Sequence, residues 1–206
     1  MTIILAGKYS GGINVLYDTV GYYKILRFLI PLTGVKKVQP IYEGNGFIGM
    51  SGGNVPEKEF AKFDRLTKGI PENRRLGTIN QIIAADKLMQ ISSNRGDKNR
   101  SYIVGITEPD GLHLLISDAI SDTQLREVDF YGIGSGMRHP EVLGMLKDRY
   151  KPDLDSSKSL YNLQMVFKLA WRLDREKEGK GRSTPIKGLG EGVLDSTGYR
   201  QLFIST

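Results

Sequence analysis

Met1-Thr2-Ile3-Ile4-Leu5-Ala6-Gly7 is an apolar, β-branched run with a threonine at its head. It reads as a buried strand, because Ile3 and Ile4 favour extended backbone and no basic region precedes them. Removal of Met1 would give Thr2 a free α-amine beside its own hydroxyl. Such an amine has an ordinary pKa of about 7.7–8.0, so it is partly neutral near physiological pH and can act as base toward a weak hydroxyl nucleophile. Outward from this strand, Ser10-Gly11-Gly12 predicts a turn and Ile13 to Tyr17 a second strand, which Asp18 ends.

The 206 residues are 39% hydrophobic, enough for one sizeable core and a single domain over residues 1–206. The absence of cysteine excludes disulfides, thiolate metal sites and cysteine nucleophiles. His113 falls inside a predicted strand and His139 precedes Pro140; both are read as structural, and two histidines make no histidine-rich metal site. No metal or cofactor is expected. No apolar run reaches the roughly 18 residues of a membrane span, and no export signal is evident, so the expected location is cytoplasmic with no membrane partner. A net charge of +6 invites a nucleic-acid partner. The charge is spread along the chain without interleaved aromatics, so it reads as a solvated surface instead.

Further along, Tyr22 to Leu32 is apolar and aromatic with Pro31 breaking it, and is read as an ordered connection over a cleft. Lys36 to Ile41 and Phe47 to Ser51 form a strand pair turned by Glu43-Gly44-Asn45-Gly46. Asn54, Pro56 and Glu57 suit the start of a helix that carries Phe60 and Phe63 on one face to Leu66 or Thr67. A second helix is predicted from about Thr78, with Ile79, Ile82, Ile83 and Met89 inward. The segment Ser93 to Arg100 reads as a loop.

Tyr102 to Thr107 and Leu112 to Ser117 form a hairpin around Glu108-Pro109-Asp110-Gly111. Val128 to Ile133 is a strand leading into Gly134-Ser135-Gly136. Its flanks, Ile133 and Met137, fail the G-x-S-x-G elbow pattern. One helix then carries Val142, Leu143, Leu146 and Tyr150, and another Leu160, Leu163, Phe167 and Ala170. Residues 172–190 are charged and glycine-rich, which predicts a mobile loop, and strands near Gly192 to Leu194 and Gln201 to Ile204 close the chain.

This order, with Thr2 opening the first strand, resembles the proteasome β-subunit family of N-terminal-nucleophile hydrolases, and within it the propeptide-less relatives. The resemblance runs from Thr2 to about Asp174. It rests on the N-terminal nucleophile, the strand-ending aspartate, Lys36-Lys37-Val38, Gly52-Gly53 before a helix, Gly134-Ser135-Gly136, and the aspartate late in the last helix. It implies an α+β fold, a four-layer αββα sandwich of two stacked, mainly antiparallel sheets between helical layers. It also implies a threonine-type peptidase acting on peptides or unfolded proteins within a homo-oligomeric ring or related assembly, with an ATPase partner left open.

Carried over by motif, Thr2 matches the nucleophile, Asp18 and Lys37 the charged pair beside it, and Gly52 the oxyanion N–H donor. Ser135 and Asp174 match the groups around the threonine amine, and Val35 and Met50 the specificity pocket. Lys37 is expected either to stay charged and lower the site's hold on protons or to relay the hydroxyl proton. The chain departs from the family after Asp174, where Lys177 stands at the position of a late serine. That departure keeps two alternatives open: a scaffold subunit without hydrolysis, and an amide-bond ligase that passes the acyl group to an amine.

Overall fold

The computed structural model describes residues 2–25, 28–32, 34–52, 57–92, 100–118, 124–151, 153–177 and 188–204. Strand β1 (Ile3–Tyr9) and strand β2 (Gly12–Asp18) form the expected hairpin, with Tyr9 paired to Gly12 across its turn. The segment Tyr22 to Leu32, expected as an ordered connection, is a two-stranded ribbon, β3 (Gly21–Ile25) and β4 (Phe28–Leu32). Pro31 pairs with Tyr22 inside it; an isolated ribbon leaves each strand one free edge, where a residue without an N–H does no harm.

Strands β5 (Val38–Ile41), β6 (Gly46–Ser51), β7 (Ser101–Glu108), β8 (Gly111–Ser117) and the short β9 (Arg126–Glu127) follow. Then come β10 (Phe130–Gly134), β11 (Leu189–Asp195) and β12 (Gly198–Ile204). They build two antiparallel sheets of five strands, β10-β1-β2-β11-β12 and β5-β6-β7-β8-β9. The strand predicted over Val128 to Ile133 begins at Phe130, and a short strand stands just before it. Arg126 and Glu127 pair with β8, while Phe130 onward pairs with β1, so this stretch passes from one sheet to the other.

Four helices complete the α+β fold among the described residues: α1 (Glu57–Thr67), α2 (Arg75–Ser92), α3 (Pro140–Arg149) and α4 (Ser156–Lys177). Of the loop expected over residues 172–190, residues 172–177 are instead the end of α4, and Leu189 and Gly190 open β11; residues 178–187 lie outside the described residues. The predicted loop at Ser93 and the cap at Asn54 and Pro56 also lie outside them.

Alternation along β1 divides the core. Ile3 and Leu5 pack with Val142, Leu146, Leu163, Phe167 and Trp171 of α3 and α4. Ile4 and Ala6 point the other way, against Phe47, Ile103 and Leu114 of the second sheet. The far face of that sheet packs Ile48, Met50 and Val104 against Phe60, Phe63, Ile79 and Ile83 of α1 and α2. Burying each such side chain contributes about 1.5–3 kcal/mol, as an upper estimate.

Met89 is not on the inner face of α2 but 52% exposed, because that face instead turns through Ile79, Ile83, Asp86 and Lys87. The two charged residues are held by Arg100: its guanidinium sits 3.2 Å from Asp86, and its carbonyl accepts from the Lys87 ammonium.

His113 on β8 has the structural role expected of it. Its ring nitrogens lie 3.0 Å from Asp110 and 3.2 Å from Glu127, and Glu127 also binds Lys8 of β1 at 2.8 Å. Partial burial pushes the imidazole down, but the two carboxylates hold it above its ordinary 6.5. A raised pKa contributes stability that is complete below the unfolded value and lost as pH rises through the folded one. The stability difference between wild type and His113→Asn should thus be largest, about 0.5 kcal/mol, on the acid side and fade toward alkaline pH. Urea midpoints across pH check this; a pH-independent difference contradicts it.

Candidate functional site

Thr2 stands at the start of β1 and Asp18 at the end of β2, so the antiparallel register brings them side by side. The Ile3 N–H donates to Asp18 Oδ1 at 2.5 Å, and the carboxyl is fully buried. Lys37 reaches it from just ahead of β5. Its carbonyl accepts from the Met50 N–H at 3.1 Å, which docks it on β6. Lys36 is exposed and Lys37 only 7% exposed, the alternation expected of neighbours in extended chain.

The Lys37 ammonium pairs with Asp18 Oδ2 and donates to the Val20 carbonyl at 2.7 Å and to Thr2 Oγ1 at 3.3 Å. Burial pushes the Asp18 carboxyl above its usual range, with Lys37 pulling the other way. Burial likewise pushes the Lys37 ammonium down, against the pull of Asp18. Burial disfavours both charged forms relative to water, and each charge is held by the other.

A second chain of bonds reaches the nitrogen of Thr2. Ser135 opens a 3-10 turn (Ser135–Arg138) directly after β10. Its Oγ accepts from the Thr2 N–H at 3.3 Å and donates to Asp174 Oδ2 at 3.0 Å. Asp174 lies in the last turn of α4, 6% exposed, and His139 Nε2 approaches its other oxygen at 4.0 Å. His139, expected to be structural, thus also borders the site. Lys177 ends α4, three residues beyond Asp174.

A pocket of about 370 Å³ opens beside Thr2, with Gly52, Ser101, Asp118, Tyr131 and Arg138 on its wall. Gly52 follows β6 with φ +90°, a conformation other residues rarely adopt, and lines this pocket, as Thr2 does. The structure therefore brings together Thr2, Asp18, Lys37, Gly52, Ser135 and Asp174. It does not bring Val35 and Met50 to the wall of this pocket. Val35 is half-buried, and Met50 is 1% exposed, its side chain packed toward α1 and α2. Met50 instead serves through its N–H on Lys37. Sequence reasoning passed over Asp118 and Tyr131, although Asp118 follows the end of β8 much as Asp18 ends β2.

Among the described residues no group of carboxylates and histidines is placed to hold a metal ion. No helix among them is long and apolar enough to cross a membrane. No protein-family model and no curated protein matches the chain.

Gly134 has φ +112°, and a Cβ there would meet the Thr2 carbonyl oxygen at 1.9 Å. Gly134→Ala should therefore cost at least about 1–3 kcal/mol in backbone strain and displace Thr2 from Ser135 and Lys37. Gly144, exposed within α3 with open space around it, is the control. Gly144→Ala should be stabilising by about 0.5–1 kcal/mol. Chemical denaturation of both variants checks the contrast, and a neutral Gly134→Ala contradicts it.

Proposed function

We propose that the chain is an N-terminal threonine hydrolase, a peptidase resembling the proteasome β-subunits, in which Thr2 acts after loss of Met1. The observation that carries this reading is the convergence on one threonine of Lys37 at its hydroxyl and Ser135 at its nitrogen, each backed by a buried aspartate. The packing sequence supports the four-layer arrangement of that family: α3 and α4, the first sheet, the second sheet, then α1 and α2.

Once Met1 is gone, the nitrogen beside Ser135 is a free amine next to its own hydroxyl. The hydroxyl oxygen attacks a peptide carbonyl carbon, and its proton passes to the amine, directly or through water. The backbone N–H of Gly52 takes the developing oxyanion; a donor of that kind is worth about 10²–10³ in rate. The C–N bond breaks, the leaving amine takes the proton, and an ester to Thr2 remains. Water then attacks the ester, gives a proton back to Thr2 Oγ1 and releases the acid. Replacement of that water by an amine gives the ligase reading, which product analysis with added amine separates.

An N-terminal-threonine-directed electrophile should label the processed protein and leave Thr2→Ala unlabelled. Equal labelling of the two, or activity in protein that retains Met1, would refute the reading. Lys37→Ala should abolish turnover with a near-native circular dichroism spectrum, while Lys36→Ala, at an exposed position, should be mild; the reverse outcome would misplace the ion pair's role.

We also propose that the subunits assemble into a ring or related oligomer that encloses Thr2, since an open peptidase site endangers other proteins. Phe60, Phe63, Val142 and Leu146 are taken up by the core and do not contribute to such contacts. Light scattering on a dilution series should give a mass well above the 23.0 kDa monomer. A persistent monomer would falsify the enclosed assembly.

A further inference from the structure

We infer that Arg100 is a positioning residue of the Thr2 site. It clasps α1 and α2 onto the start of β7 and so fixes the end of the β6–β7 pair, where Lys37 docks and Gly52 lines the pocket. Its consequence for turnover rests on the hydrolase reading of Thr2; the clasp itself does not.

Arg100 is buried immediately ahead of β7, and groups from both outer helices converge on it. One end of its guanidinium lies 3.2 Å from Asp86 of α2, the other 3.1 Å from Glu59 of α1. Its N–H donates to Gln90 Oε1 at 2.9 Å, and its carbonyl accepts from the Lys87 ammonium. Two residues on, the Tyr102 hydroxyl donates to the same Asp86. A planar fork engages two carboxylates in fixed directions, which the point charge of a lysine does not. Arg100 therefore sets the start of β7 against two helices at once.

That start of β7 carries the lip of the site. Ser101 pairs with Ser51 and Tyr102 with Met50, the end pairs of the β6–β7 ladder. Ser51, Gly52 and Ser101 all line the pocket beside Thr2. The Met50 N–H donates to the Lys37 carbonyl at 3.1 Å, so the same ladder end seats the lysine that reaches Thr2 Oγ1. Strand ends are where local opening costs least, and this one holds two parts of the site. Phe60, Phe63, Ile79 and Ile83 already pack α1 and α2 on this sheet, and a buried charge cluster is a weak stabiliser beside such apolar contacts. What the charges add is direction. A misplacement of about 1 Å at a reacting group can cost about 10²-fold in rate.

Hydrogen exchange on the folded protein tests the clasp directly. In Arg100→Met the Met50 amide should exchange about tenfold faster, while the amides of β1 change less. Labelling of processed protein at Thr2 should slow about tenfold in the same variant. Leu194→Ala is the control, a core cavity at the end of β11 that pairs with Ile13, away from Asp18. It should lower the urea midpoint yet leave the labelling rate within about twofold of wild type. Unchanged exchange at Met50 in folded Arg100→Met overturns the proposal, and so does labelling that falls equally in Leu194→Ala. If Arg100→Met does not fold, Glu59→Ala removes one arm of the clasp at a partly exposed position. It should give the same changes at about threefold, and Glu59→Gln, which keeps an acceptor for the fork, should recover most of them. No change in Glu59→Ala then overturns the proposal. Wild type that is never labelled refutes the hydrolase reading alone, and exchange at Met50 still decides the clasp.

Discussion

Asp18 and Lys37 bring opposite charges out of water together, one fully buried and the other nearly so. Their attraction offsets a desolvation cost of several kcal/mol per ion only because further groups complete the geometry: the Ile3 N–H on the carboxylate, the Val20 carbonyl and Thr2 hydroxyl on the ammonium. Each of these partners comes from a different place in the chain. The head of β1, the end of β2 and the approach to β5 must therefore all be in register before the pair is satisfied. Removing one charge would strand the other, at a cost of about 3–5 kcal/mol.

Strand β1 can carry this site because it is committed on both faces. Ile3 and Leu5 are held by the helices α3 and α4, Ile4 and Ala6 by the second sheet, and its edges by β2 and β10. A slip of one residue would send every side chain to the wrong neighbour. Thr2 inherits that rigidity as the residue immediately before the strand. Close approach of Gly134 to the Thr2 carbonyl fixes the same residue from the β10 side, where no side chain could fit.

Local signals made most of this legible in the sequence. The hairpins around Gly11 and around Pro109-Asp110 carry their own turn residues, and α1 and α4 carry apolar residues at helical spacing, so both kinds of element appear where the pattern puts them. The residues gathered around Thr2 were picked out by the order of motifs; the resemblance selected Lys37 of the lysine pair, and alternation then placed Lys36 on the opposite face. What escaped depends on partners distant in sequence. Met50 is apolar in either role, and only the packing of α1 and α2 decides that its side chain is core. Asp86 and Lys87 look like solvent-facing charges until Arg100, itself also paired with Glu59, and Tyr102 meet Asp86 and the Arg100 carbonyl meets Lys87. Asp118 and Tyr131 lie on different sheets, and no spacing rule links them.

Two placements near Thr2 work against the fold taken by itself. A buried ion pair is a weak stabiliser, and apolar side chains of similar volume often serve a core equally well or better. Asp174 is an anion in the last turn of α4, where the helix carbonyls already make the potential negative; a charge at the wrong end costs about 0.3–1 kcal/mol. Local rules of this kind are broken most readily where a site requires it. Both violations end, through Lys37 and through Ser135, on the hydroxyl and the nitrogen of a single threonine. A scaffold subunit would need the strand, the sheets and the helices, but it would gain nothing from either charge. In the hydrolase reading each charge has a purpose, with Lys37 beside the hydroxyl that must lose a proton and Asp174 behind the nitrogen that must receive one.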